Sequence, residues 1–182
     1  MEDSDLPEEM RREFIGIIRK ECDRLNLLVE LLDLDHARAM EFHDVDVASL
    51  LDEVIRLSMR AGDSRAPRLR RETLEGLPPL HCNRALIQRA LLNLTANAIQ
   101  ASVRGGEIVL SAHSTHDQLC LEVRDQRFGP GERAERGVEV LDPTREEPGL
   151  AVVREIVARH GGMVRVVRNN VGVHVAMSLP RK

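Results

Sequence analysis

Residues 8 to 41, "EEMRREFIGIIRKECDRLNLLVELLDLDHARAME", constrain the fold most. Apolar side chains recur at Phe14, Ile17, Ile18, Leu25, Leu28 and Leu32, with charged residues between them, which is the period of a helix. No proline interrupts the run, and Gly16 is its one weak point. A helix of about 30 residues is about 45 Å long. That is longer than a small globular domain can cover, so part of the apolar stripe is expected to pack on another long helix. A second copy of the chain, or a segment outside this sequence, would supply it. The pattern divides the chain into 1–43, a long helix, and 44–182, which reads as an α/β domain.

Within 44–182 the periodicity alternates. Val45 and Val47 read as a short extended lead-in, followed by a helix from about Ala48 to Arg60 that Asp46 could cap. A strand is expected around Leu69 to Leu74. A strong helix runs from Asn83 to Ser102, "NRALIQRALLNLTANAIQAS", and "RGG" at 104–106 closes it. "EIVLSAHS" and "QLCLEVRD" alternate as two strands joined by a polar turn at His116 and Asp117. Residues 129–149 are polar and punctuated by Pro130, Pro143 and Pro148, a loop long enough to be functional. "LAVVREIVARHGG" reads as a helix stopped by Gly161 and Gly162, and the remainder as a hairpin turning at Asn169 and Asn170.

Composition removes several functions. Only 2% of residues are aromatic and the formal charge is −4, so neither base-stacking platforms nor a basic footprint for nucleic acid is present. Cys22, Cys82 and Cys120 have no metal-ligand or redox spacing, and their odd number argues against a disulfide framework. The acidic start "MEDSDLPEEM" is not a signal peptide, and no apolar run reaches the roughly 20 residues of a membrane span. A soluble, cytoplasmic chain is expected.

Three features carry candidate chemistry. Asn93 and Asn97, four apart, share one face of an otherwise apolar helix. Paired carboxamide oxygens can ligate Mg²⁺ or its water shell, or simply satisfy neighbouring backbone and water. Asp125 ends a strand four residues before Gly129, with Gly131 beyond. Such a carboxylate can accept from an adenine amino group while glycine admits the ring, or it can sit solvated in a tight turn. Gly149 opens a helix whose free N–H groups suit phosphate, or Pro148 merely fixes an ordinary helix start.

Taken in order, these elements resemble the catalytic ATP-binding domain of two-component sensor histidine kinases. The carriers are the N-L-x-x-N-A helix, a strand ending in Asp before glycine, a polar lid, "GLAVVREIVARHGG", and a closing hairpin ending in Leu-Pro. Upstream, Glu21, Asp23, Arg24, Leu25 and the "LLDL" of 31–34 are similar to the second helix of that family's dimerisation and phosphotransfer domain. The resemblance implies a Bergerat-type two-layer α/β sandwich, a mixed sheet with helices on one face, preceded by the long helix.

The resemblance further implies ATP and Mg²⁺ as ligands. Asn93 would help hold Mg²⁺ and Asn97 would contact phosphate or metal. Asp125 would receive the adenine amine and Gly129 would face the base. Gly149 and Leu150 would end the lid beside the phosphates. The reaction would move the ATP γ-phosphoryl group to a histidine, with a response regulator as partner and homodimerisation through the long helix.

The chain departs from the family in places. Arg127 stands where the first turn usually has glycine, and Arg145 and Glu147 replace two glycines before Gly149. Arg127 either faces outward or reaches the nucleotide as a cation that Gln100 does not supply. Glu146 and Glu147 would lie near triphosphate, and His174 replaces a small hydroxyl residue in the closing hairpin. No histidine has the context of the family's phosphoacceptor, so no catalytic residue is assigned. His36 reads as a solvated or packing residue, and His160 as an ordinary imidazole near a helix end. The sequence reads as a fragment beginning at the second helix of a longer kinase. The alternative is a pseudokinase or phosphotransfer scaffold that keeps the fold and binds nucleotide weakly or not at all.

Overall fold

The computed structural model describes residues 7, 8, 10–18, 22, 25, 41–59, 67–73, 76–102, 105–125, 139–140, 148–168 and 172–181. The chain forms two compact units, Met1–Arg38 and Ala39–Lys182. In the first, residues 8, 10–18, 22 and 25 are helical. An Arg12–Glu8 pair at 2.7 Å links successive turns. Phe14, Ile15, Ile17, Ile18 and Leu25 of this unit are exposed. The rest of the expected long helix lies outside the described residues.

The second unit begins with strand β1 (His43–Val45) and helix α1 (Val47–Ser58). Asp46 caps α1, its carboxylate accepting from the Ser49 N–H at 2.6 Å. The cap places Val47 in the first turn instead of an extended lead-in. Strand β2 (Arg68–Thr73) meets the expectation for that segment, whereas β3 (Leu80–Cys82) is a strand the patterning missed. It is three residues long and directly follows Pro78 and Pro79, too short to show an alternation. It pairs antiparallel with β1.

Helix α2 (Arg84–Ala101) follows, capped by the Asn83 side chain accepting from the Leu86 N–H at 3.1 Å. Strands β4 (Glu107–Ser114) and β5 (Gln118–Asp125) form the expected hairpin. Within the segment read as an unbroken loop, β6 (Glu139–Val140) pairs with β7 (Met163–Arg168). Two residues again give no period to detect. Helix α3 (Pro148–Arg159) precedes β7, and β8 (Val173–Pro180) closes the domain. Gly161, at φ +70°, supplies the left-handed residue that ends α3. The turn expected at Asn169 and Asn170 lies outside the described residues.

The main sheet has the order β2-β4-β5-β8-β7-β6. β2 and β4 run parallel and every other neighbouring pair runs antiparallel. Alternation sorts its two faces. Leu110, Leu121, Val123 and Met177 point to one side and are buried with Leu50 and Leu51 of α1, Ile87 and Leu91 of α2, and Val153 and Ile156 of α3. Truncating any of the large fully buried ones to Ala would cost about 2–5 kcal/mol. The opposite face carries charge. Arg70 reaches Glu107 at 3.3 Å, Arg124 reaches Glu72 at 3.2 Å, and Glu122 lies 3.2 Å from His174 and 3.6 Å from His113. The result is a mixed sheet with its helices on one side, as the resemblance implies.

Candidate functional site

The last residue of β5 sits on the helix-covered face. By the alternation of the strand, Asp125 follows Leu119, Leu121 and Val123, so its carboxyl group points inward and is 7% exposed. Burial of a carboxylate requires a partner. The Val173 N–H, at the start of β8, donates to Asp125 Oδ1 at 2.7 Å. The preceding residue is glycine because nothing else fits. A Cβ on Gly172 would lie 1.9 Å from the Asp125 carbonyl oxygen and 2.7 Å from Oδ1. The sequence reading did not single out Gly172. Its signal is a glycine abutting an alternating strand, which marks close backbone approach.

Asp125 closes one end of a pocket. Val123 of β5, Val166 of β7, and Val173 and Val175 of β8 form its floor; Leu94, Asn97 and Ala98 of α2 and Leu150 of α3 form its walls. The volume is about 20 Å³, room for a water but not a purine, so a ring is admitted only as the walls move apart. The lining is aliphatic apart from the carboxylate and one carboxamide. Among the described lining residues none is basic.

Asn97 stands where α2 meets the first turn of α3. A Cβ on Gly149 would fall 2.7 Å from Asn97 Nδ2 and 3.3 Å from Oδ1, so glycine lets the start of α3 close against the amide. The N-terminal N–H groups of α3, with the positive end of its dipole, therefore lie beside Asn97. Asn93 is one turn earlier on the same face. Both amides are half-buried, because they flank the buried stripe of α2 (Leu91, Leu94, Thr95, Ala98) instead of lying in it.

The structure thus brings Asn97, Asp125 and Leu150 to one pocket, with Gly149 against Asn97. Arg127 and Gly129 lie outside the described residues, as do Arg145, Glu146, Glu147 and His36. Gln100 is exposed. His174 is on the opposite face of the sheet, next to Glu122, and takes no part in the pocket that its neighbours Val173 and Val175 line. His160, read as an ordinary helix-end imidazole, is buried at 8% exposure. Among the described residues no cluster of His, Cys, Asp and Glu could hold a metal ion, and no helix is long and apolar enough to cross a membrane.

Residues 82–182 match the family described as histidine kinase-, DNA gyrase B-, and HSP90-like ATPase. The sensor histidine kinase ZraS of Escherichia coli K12 is 33% identical over 157 residues, covering 82% of this chain and 33% of ZraS. The chain therefore spans about a third of the length of the curated relatives it matches. Among solved structures, full-length ShkA in complex with AMPPNP superposes with a TM-score of 0.66 at 23% identity, covering 93% of this chain and 38% of that one. Histidine kinase ThkA in complex with the response regulator TrrA gives 0.66 at 22% identity, covering 100% of this chain and 53% of that one. A single family accounts for the match over residues 82–182, the curated relatives and the shared architecture: this chain belongs to the histidine kinase-, DNA gyrase B-, and HSP90-like ATPases, and its curated relatives are sensor histidine kinases.

Proposed function

We propose that the second unit is the ATP-binding catalytic domain of a sensor histidine kinase, which transfers the γ-phosphoryl group to a histidine outside this sequence. The observation that carries this reading is the buried Asp125 carboxylate at the end of an apolar cleft, with one oxygen held by the Val173 N–H. That geometry suits an exocyclic amine on a flat apolar ring. ATP supplies the transferable phosphoryl group, and Mg²⁺ offsets the charge of the phosphate chain.

The residues present fit such a ligand. Asp125 accepts from the adenine amine, and Val123, Val173 and Leu150 contact the ring faces. Asn97 and the first turn of α3 at Gly149 and Leu150 receive the phosphates, where free N–H groups and the helix dipole favour anions. Asn93 offers a carboxamide oxygen to Mg²⁺. Gly129 faces the base, and Arg127 supplies the cation that the described lining lacks.

The partners follow from the same reading. A response regulator receives the phosphoryl group, a partner in keeping with the complex that ThkA forms with the response regulator TrrA. The apolar stripe of the N-terminal helix pairs two copies in a homodimer, and the domain works in the cytoplasm. Titration of the chain with ATP in the presence and absence of Mg²⁺ tests the proposal. Saturable binding that tightens with Mg²⁺ is expected. No saturation at millimolar nucleotide would overturn it.

A further inference from the structure

His160, the last residue before the glycine pair, is tied to two helices at once. Its Nδ1 lies 2.7 Å from the Ile156 carbonyl oxygen in its own helix, and its Nε2 lies 3.1 Å from the Asn83 backbone nitrogen. A carbonyl only accepts and a backbone N–H only donates. The partners therefore fix the tautomer: Nδ1 carries the proton and Nε2 is bare.

The Asn83 N–H has a particular need. Asn83 caps α2, and its side chain already accepts from Leu86 N–H, which is half of a capping box. The other half requires a Glu or Gln at Leu86 to reach back to the Asn83 N–H. Leucine cannot do so, and His160 supplies the acceptor from α3 instead. Phe42 packs over the imidazole with ring centres 5.0 Å apart.

The same two helices meet again at the nucleotide pocket, through Gly149 against Asn97. The start of α2 is joined to the end of α3, and the later part of α2 touches the start of α3, so the helices run antiparallel and are fastened at both ends. Asn83 and Asn97 are separated by about 21 Å of helix at 1.5 Å per residue. We propose that His160 is a positioning residue for the nucleotide site: its neutral imidazole fastens the start of α2 to the end of α3 and thereby sets the register in which Asn97 meets Gly149. The proposal rests on Asn97 and Gly149 forming the phosphate end of an ATP site.

Protonation of Nε2 would set a donor against a donor and release the fastening. Burial lowers the His160 pKa, which keeps the bridge intact at neutral pH and exposes it to acid. Few other titratable groups surround it. His81 of β3 lies across the Phe42 ring and is 2.9 Å from Asp44. Cys82 and Arg84 flank Asn83 in sequence; burial pushes the thiol up to about 11, and Arg84 is paired with Glu53 of α1. On α3 itself Arg159 is paired with Glu155 at 2.7 Å. Pro180 of β8, beside Gly161, brings no charge.

The test is a titration of the 182-residue chain and two variants with Mg²⁺ and ATP from pH 8 to about pH 5.5. His160→Asn keeps a donor for Ile156 but cannot reach Asn83, whereas the longer His160→Gln places a carbonyl oxygen near the Nε2 position. At pH 8, His160→Asn is expected to bind about three- to tenfold more weakly, the worth of one buried hydrogen bond, and His160→Gln to recover to within about twofold of the wild type. On acidification the wild type should lose affinity that His160→Gln retains; titration of the nucleotide is common to both. Equal binding by His160→Asn and wild type, equal weakening in both variants, or matching pH profiles for wild type and His160→Gln would overturn the proposal. Should His160→Asn fail to fold, the two pH profiles decide. Absence of saturable binding in the wild type would instead overturn the nucleotide reading, and this proposal with it.

Discussion

The two ends of the pocket are built by different means. The end proposed to receive the base is made of strands: Asp125, Val173 and Gly172 are locked by backbone approach, with a Cβ position 1.9 Å from a carbonyl oxygen and a buried hydrogen bond of 2.7 Å. The end proposed to receive the phosphates is made of two helices that meet through a side-chain amide, Asn97 against Gly149, and both residues are half-buried. Backbone contacts of the first kind leave no freedom for substitution. Side-chain contacts of the second kind can adjust by a few tenths of an ångström.

That contrast is broken most severely at Gly172. Gly172→Ala forces a methyl group onto the Asp125 backbone, and a loss of about 3 kcal/mol or more is expected, read as a large fall in Tm or a failure to fold. Asp125→Asn comes next. It preserves shape and an acceptor for Val173 N–H, so the fold should survive while saturable ATP binding at millimolar nucleotide disappears. Gly149→Ala should be milder than Gly172→Ala, costing about 1 kcal/mol, because the far end of the Asn97 side chain can turn away. Its ATP affinity should drop more than its Tm suggests. A Gly149→Ala variant as unstable as Gly172→Ala would end the distinction between the two ends.

Acid probes the helical end more gently. Because burial lowers the His160 pKa below 6.5, the unfolded chain binds a proton that the folded chain resists. The stability this group contributes is complete above pH 6.5 and is lost as pH falls through the lowered folded value. The slope is at most about 1.4 kcal/mol per pH unit. Chemical unfolding at several pH values should show it in the wild type and not in His160→Gln. Smallest of all is the effect expected at His174, which lies across the sheet with Glu122. His174→Ser should change ATP affinity by less than about twofold, and a larger change would mean that the two faces of the sheet are coupled.

How much was legible in the sequence follows the same division between local and distant causes. Strands β4 and β5 could be read to the residue because each is an eight-residue apolar-rich run and a polar turn separates them. The α1 cap was readable at Asp46, since a cap acts within three residues, whereas Asn83, expected as the first residue of its helix, is the cap of α2. Strands β3 and β6 are too short to have a period. At the site, Asn93, Asn97, Asp125 and Gly149 stood out by their order along the chain. Gly172 did not, because the requirement for it comes from Asp125, at the end of a distant strand. His160 was read only as a helix-end imidazole; the Asn83 N–H it satisfies is 77 residues away. A local window shows at most that glycine abuts a strand at Gly172, and nothing in it names the distant partner of either residue.

The central claim is that the Asp125 carboxylate recognises the amino group of adenine. The most direct measurement compares ATP with ITP, which carries a carbonyl oxygen in place of that amino group, on the wild-type chain with Mg²⁺. The account predicts that ATP binds at least about tenfold more tightly, since ITP sets an oxygen acceptor against a buried carboxylate. Equal affinity for the two nucleotides, or saturable binding of neither, would contradict it.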